Sequence, residues 1–433
     1  MPLSFKCCLM LLLLAGAAGC RPDKEVTPGT PVITLLTVYS PAAGQGEARV
    51  EVNNPGPPAD SEYGLVWSEN PDPTLASGAR QLSAGLPPGI ARLRFSGLTE
   101  GTTFYVRAYL RQGERYFYSN ELVLEHRAPF VWRALSGVSW SDQAQVVRSV
   151  TLGKGVVVVR PVDAAETQVW YYRVAADSWQ ELPPLDLPAS RFDPLVFKLN
   201  KFGQEAAFFG GGYQVNERVP GRYVYLKDFW QYHFFGGGAG EEYPDFPFTH
   251  PALAHFTLDN RTFVLENKSP RQVWMLLNGM SWHRKNKSPG AAGAHYVTFA
   301  AGPRGYAVAE NQAQDGSPVQ LYAYDPEGDT WTVRAQFPGP DRVNGLAFSL
   351  KGKGYYGLGQ SRDQLQGLRD IWEYDPATDA WQQVAHYPGG GQVQLLANTL
   401  DDKAYLGLGF RVSRSAAGVE AYSPATDFWE FTP

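Results

Sequence analysis

Apolar and polar residues alternate along most of this chain with a period of two, in short segments. Val32-Ile33-Thr34-Leu35-Leu36, Ala48 to Val52, Tyr63 to Trp67 and Ala91 to Phe95 are such segments, separated by Pro, Gly and Asn clusters. Alternation over this length between turn residues predicts strands. Leu98 to Tyr109 and Tyr116-Phe117-Tyr118 predict two more, joined by a hairpin through Arg111 to Glu114. Long stretches with a helical period of 3.6 are scarce, so the expected fold class is all-β. One segment departs from the pattern: residues 9 to 14 are continuously apolar.

From about residue 130 a longer period appears. Tyr precedes Trp by seven positions in Tyr172/Trp179, Tyr324/Trp331, Tyr374/Trp381 and Tyr422/Trp429, and Trp274 to Trp282 is a shortened copy. From Trp282 onward the terminal tryptophans fall 49, 50 and 48 residues apart. The gap from Trp179 to Trp282 is about two periods, and Asp228-Phe229-Trp230-Gln231-Tyr232 supplies a worn copy inside it, giving six units. A segment with glycine precedes each Tyr, as in Phe208 to Gly212, Gly354 to Gly359 and Ala404 to Gly409. Regular spacing of this kind means stacked copies of one structural unit.

A strand ending in Gly-Gly, then a loop, then Tyr, six residues and Trp resembles the Kelch repeat. The resemblance implies a six-bladed β-propeller over residues 129–433, with glycines where backbones approach closely and aromatics between four-stranded blades. Phe130-Val131-Trp132 resembles the strand that opens at each repeat's Trp, yet no Tyr hairpin stands before it. A strand near 131–136 is therefore expected to complete the last blade and remove an exposed edge. Residues 31–128 resemble a fibronectin type III-like sandwich. The carriers are Leu98-Thr-Glu-Gly-Thr-Thr-Phe104 and Tyr63-Gly-Leu-Val-Trp-Ser-Glu-Asn-Pro, the latter a stretch common in such domains of exported Bacteroidota proteins. That family carries a corner tyrosine where this chain has Phe104, so the corner hydroxyl is missing.

The apolar run at 9–14 follows Lys6 and ends in Ala17-Ala18-Gly19-Cys20. That is the layout of a secretory signal peptide, too short to span a bilayer. The cysteine after small residues resembles the lipobox of bacterial lipoproteins, which implies cleavage after residue 19 and lipid on Cys20. Residues 20–30 then read as a polar, Pro-containing tether. The implied location is the outer membrane, lipid-anchored and facing the periplasm or the surface.

All three cysteines, Cys7, Cys8 and Cys20, lie in the first twenty residues. A processed chain thus has no disulfide framework and no Cys-ligated zinc. Some Kelch propellers are copper radical oxidases whose cofactor needs a Cys cross-linked to Tyr; that chemistry is excluded here. A net charge of −5 without a dense Lys/Arg run argues against nucleic acid. The seven histidines show no ligand spacing; His250 and His255, five apart around Pro251, read as isolated residues. No cofactor, metal or catalytic residue is assigned. The loops after the glycine strands are expected to gather at one end of the axis. Arg160, Arg218, Arg222, Arg362 and Arg411 stand in them and are the candidate ligand-binding residues, for carboxylate or sulfate groups, the alternative being ordinary solvated loop arginines. Phe234 to Phe246 reads either as a recognition loop or as a worn hairpin. The expected function is a non-catalytic binding or scaffold module for a protein or glycan partner. The alternative is a carbohydrate-active enzyme, since Kelch-like propellers that epimerise sialic acid exist.

Overall fold

The computed structural model describes residues 31–433 apart from 43, 54–60, 84–88, 127–129, 139–146, 163–166, 186–190, 216–221, 236–239, 248–252, 268–270, 279–280, 291–293, 312–318, 362–366 and 415–419. Residues 32–126 form two facing antiparallel sheets. Val32–Ala42, Gln45–Asn53 and Gly89–Ser96 make one; Ala79–Ser83, Ser61–Ser68, Thr102–Gln112 and Arg115–His126 make the other, in that order. Alternate residues Ala48, Val50, Leu65, Trp67, Val106, Ala108 and Leu110 point between the sheets and share one core. Every segment read as a strand from alternation falls in one of these strands, except that Leu98 to Gly101 form a turn and the strand expected from Leu98 begins at Thr102. Ala79–Ser83 escapes that reading because it is an edge strand with no fully buried residue, so it has no apolar face to betray it.

The rest of the chain, among the described residues, builds six four-stranded antiparallel sheets. Their innermost strands are Arg148–Leu152, Leu195–Lys201, Leu253–Leu258, Ala294–Ala301, Leu346–Leu350 and Leu396–Leu400. Each touches the next, and the sixth touches the first, so the sheets close a ring around an axis. A strand with glycine comes second in every sheet but the third, whose second strand Arg261–Glu266 has none, contrary to the expectation for each unit; where they face a neighbour the glycines are steric necessities. A Cβ on Gly354 would stand 2.0 Å from the Phe299 ring of the preceding sheet, and one on Gly305 would stand 2.1 Å from Phe256. A Cβ on Gly357 would meet the Asp370 carbonyl oxygen at 2.1 Å.

The Tyr–Trp pair proves to be a clamp between neighbouring sheets. Tyr374 in Asp370–Asp375 lies opposite Trp381 in Ala380–His386. The Tyr374 hydroxyl donates to Asp379 Oδ1 at 2.7 Å, in the turn between the two strands. Asp379 Oδ1 also accepts the Ala335 N–H, and Trp381 Nε1 donates to the Ala335 carbonyl, both at 3.0 Å. Ala335 leaves the outermost strand of the preceding sheet, so one residue there is gripped at both backbone polar groups. Tyr172, Asp177 and Trp179 grip Ser136 in the same way. Burial, then the aspartate beside it, pushes the Tyr172 and Tyr374 phenols well above their usual range, so these hydroxyls stay protonated donors.

Val131–Leu135 pairs with Phe428–Thr432 and is the fourth strand of the sixth sheet, as expected from Phe130-Val131-Trp132. One assignment from the sequence is corrected here. Tyr422 and Trp429 are not the hairpin pair of the last repeat. Trp429 occupies the third strand, where Trp372 sits in the fifth sheet, and Trp132 takes the place of Trp381. Glu420–Pro424 belongs instead to a side hairpin with Phe410–Arg414. The segment from Phe234 onward also resolves: Gly240–Tyr243 is the fourth strand of the second sheet, Gly240 standing opposite Tyr232 where other sheets place Trp, with Phe234 and Phe246 buried. It is a worn hairpin.

The sandwich packs its Val32–Ala42 strand on the outermost strand of the fifth sheet, with Tyr39 against the His386 ring at 6.1 Å. That contact covers one of the edges the ring leaves open.

Candidate functional site

Antiparallel order fixes which ends meet. Each first strand starts, and each second strand finishes, at the same end of the axis. There the six first strands enclose a channel mouth of about 300 Å³. Half of the lining residues are Leu, Ala or Val; the titratable side chains Arg148, Asp193, His255 and His295 stand among them, with the hydroxyls of Ser149, Tyr296 and Thr298.

Arg148 opens the first strand of sheet one and Asp193 precedes that of sheet two; the two form an ion pair across the gap between sheets. His255 stands one sheet further round. The residue is partly buried in the channel wall, and desolvation, followed by the nearby Arg148 charge, holds the imidazole down at about 4. At neutral pH it is therefore an uncharged hydrogen-bonding group.

His295 lies directly opposite Glu310 in the pairing of Ala294–Ala301 with Arg304–Asn311. Glu310 is fully buried. Its Oε1 accepts the Gly345 N–H at 2.8 Å and the Tyr356 hydroxyl at 2.7 Å, which ties sheet four to sheet five. Its Oε2 faces His295 Nδ1 at 3.5 Å, and neither atom has a hydrogen-bond partner among the described residues. Gly345 makes this possible, because a Cβ there would lie 2.6 Å from Oε1. A buried carboxylate with one engaged oxygen, next to an imidazole open to the channel, can accept or relay a proton.

The candidate arginines are placed differently from expectation. Arg160 is not in a loop: it is the penultimate residue of the strand Gly155–Pro161, is buried, and donates to Gln168 at 2.9 Å. Arg411, in the side hairpin, is 56% exposed and pairs with Asp427 at 3.0 Å. Arg222 is exposed at the loop end of a hairpin, just before Tyr223 and away from the end that is tied to Phe192. Arg218, Arg362 and Cys20 lie outside the described residues. Those that are described do not form a ring of guanidiniums. Two arginines that loop position did not single out are fully buried instead: Arg191 bonds Asp228 and Arg342 bonds Asp370, each through two nitrogens. Among the described residues no group of three His, Cys, Asp or Glu could hold a metal.

His255 gives a pH prediction. Its folded value lies below the ordinary histidine value of 6.5, so the unfolded chain takes a proton that the folded chain refuses. The stability it contributes is whole above about pH 6.5 and is lost as pH falls toward 4, by at most about 3 kcal/mol. Urea unfolding of the wild type and His255→Gln at pH 7 and pH 5 should show a smaller loss in the variant; equal losses would refute this origin.

Rings of four-stranded sheets with a polar axial mouth define a β-propeller-like protein, a class whose members commonly bind ligands on the axis. No family model and no curated protein matches this chain. Among solved structures it is similar to that of YjhT, with 13% identity, a TM-score of 0.50, and coverage of 69% of this chain and 97% of that one. At that identity the likeness supports the fold alone.

Proposed function

We propose that this chain is an outer-membrane lipoprotein, anchored through Cys20, whose Kelch-type six-bladed propeller binds a carbohydrate at its axial mouth beyond a fibronectin type III-like spacer. The three-plus-four strand order of residues 32–126 supports the spacer, and six four-stranded sheets closed by Val131–Leu135 support the propeller. The observation that carries the functional reading is the convergence of Arg148, Asp193, His255 and His295 on one small cavity whose walls mix aliphatic side chains with the hydroxyls of Ser149, Tyr296 and Thr298. Fixed donors and acceptors between apolar surfaces suit a sugar ring, which offers hydroxyls at its rim and C–H groups on its faces.

Full-length protein in detergent, applied to a glycan array, is expected to retain a defined set of glycans. Arg148→Ala and His295→Ala should each weaken that binding about tenfold or more. Unchanged binding in both variants would remove the mouth from consideration.

A catalytic role on the same ligand class, of the sialic acid epimerase or mutarotase type, is favoured by one observation, the His295–Glu310 pair. Anomer exchange of sialic acid followed by NMR separates the two: turnover lost in His295→Ala makes the protein an enzyme, and absence of turnover with glycan retention makes it a binding module. Silence in both assays with a co-purifying envelope protein would favour a scaffold.

A further inference from the structure

The hairpin formed by Tyr213–Val215 and Tyr223–Tyr225 is not needed for the ring, yet it stands at the channel mouth. Tyr213 exchanges backbone hydrogen bonds with Phe192 at 2.8 and 2.9 Å, and the next residue, Asp193, lines the channel. The hairpin is thus tethered to the rim by its first residue. Its register pairs Tyr213 with Tyr225 and Val215 with Tyr223. Side chains in a two-stranded ribbon alternate between faces, so Tyr213, Val215, Tyr223 and Tyr225 share one face.

That face is open. Tyr223 is 53% exposed, Val215 49% and Tyr225 40%. Tyr213 is partly covered, with the Tyr223 ring edge-on at 4.9 Å and Phe192 at 5.7 Å. The Tyr213 phenol is raised by burial first and then by the Asp193 carboxylate, which agrees with a ring turned toward the mouth.

We propose that this tyrosine face is a second sugar-stacking subsite, continuous with the axial mouth, so that the ligand is a glycan chain of two or more units, not a free monosaccharide. Three features favour a glycan over a protein or a membrane. The rings bear hydroxyls, which bond sugar hydroxyls while the π-faces take C–H groups. The adjoining cavity is small and mixes polar with aliphatic side chains, so a longer ligand entering it must continue over the rim. The hairpin is tied to that rim at Phe192, which places the tyrosine face along such a path. This inference rests on carbohydrate binding at the mouth.

The test uses full-length protein in detergent and two kinds of probe. Affinity electrophoresis through gels containing mannan, dextran, xylan or hyaluronate reads chain binding. Calorimetry with the corresponding monosaccharides reads the mouth alone. Retardation by at least one polysaccharide is expected, reduced about tenfold or more in Tyr223→Ala/Tyr225→Ala and restored in Tyr223→Trp/Tyr225→Trp. Monosaccharide affinity should not change in either variant, which also shows that the variants are folded, whereas His295→Ala should lower both readouts. Wild-type retardation by the double alanine variant overturns the subsite. Monosaccharide binding without retardation by any polysaccharide also overturns it and leaves the mouth reading standing. Failure of both probes with wild-type protein sinks the mouth reading itself. Loss of a co-purifying envelope protein in the alanine variant, with polysaccharide binding intact, assigns the face to a protein partner and overturns the proposal.

Discussion

Deleting residues 130–136 is expected to open the ring and leave a chain that aggregates or unfolds at least about 5 kcal/mol more easily, the scale of several lost core and backbone terms together. The segment gives the sixth sheet its fourth strand, so removal exposes the full edge of Phe428–Thr432. Phe130 stacks on Phe431 at 5.1 Å, and Trp132 contacts Phe431 at 4.8 Å and Tyr387 at 5.6 Å. Arg133 donates twice to the buried Glu430 carboxylate, at 3.2 and 2.7 Å. Ser136 is the residue that the first sheet clamps through Asp177 and Trp179. Closure is thus held along the strand and again at its exit. Since deletion also shortens the connection to the sandwich, Trp132→Ala is the cleaner partner experiment, expected to cost about 3 kcal/mol in urea unfolding. An unchanged midpoint in that variant would mean that the ring closes elsewhere.

The repeat was readable because the clamp needs particular residues at fixed spacing: a Tyr hydroxyl, an Asp in the turn five positions on and a Trp two beyond it. Asp177, Asp329 and Asp379 all take a left-handed backbone there, a conformation Asp tolerates because its side chain bonds locally. The same reasoning explains the misassigned copy. Tyr422 stands seven before Trp429 by coincidence of the side hairpin, whereas Asp427-Phe428-Trp429 matches Asp370-Ile371-Trp372 and Asp228-Phe229-Trp230 and marks the third strand. The Asp-x-Trp signal was in the sequence and outranks the Tyr count. The mouth was less legible. His295 and Glu310 are fifteen positions apart and meet only because a hairpin aligns them. Arg148 and Asp193 meet across two sheets. Contacts made by register and ring closure leave no local motif, so the histidines looked isolated and loop position pointed to other arginines.

Arg342→Met is expected to destabilise the protein by about 3–5 kcal/mol, while Arg411→Ala should cost under about 1 kcal/mol, although each arginine pairs with the aspartate of an Asp-x-Trp segment. The difference is solvent. Arg342 is fully buried, donates to both Asp370 oxygens and to the Leu358 carbonyl, and packs its guanidinium on Phe337 and Tyr356. Burial alone would raise the Asp370 carboxyl, and Arg342 outweighs it, holding that carboxyl below its usual range. Without Arg342 the carboxylate is left buried with Trp372 Nε1 as its remaining side-chain donor, at 2.6 Å. A large part of the loss is therefore the cost of an unpaired charge and not the worth of the pair. Arg342→Met/Asp370→Leu should accordingly recover much of what Arg342→Met loses, since an apolar pair needs no partner. Urea midpoints at pH 7 for the four variants, including Asp370→Leu alone, measure this directly. A double variant no more stable than Arg342→Met would instead place the energy in the bonds to Leu358 and the stacking on Phe337 and Tyr356. In either case Arg342 is committed to the fold, unlike Arg148, which with Asp193, His255 and His295 lines the mouth.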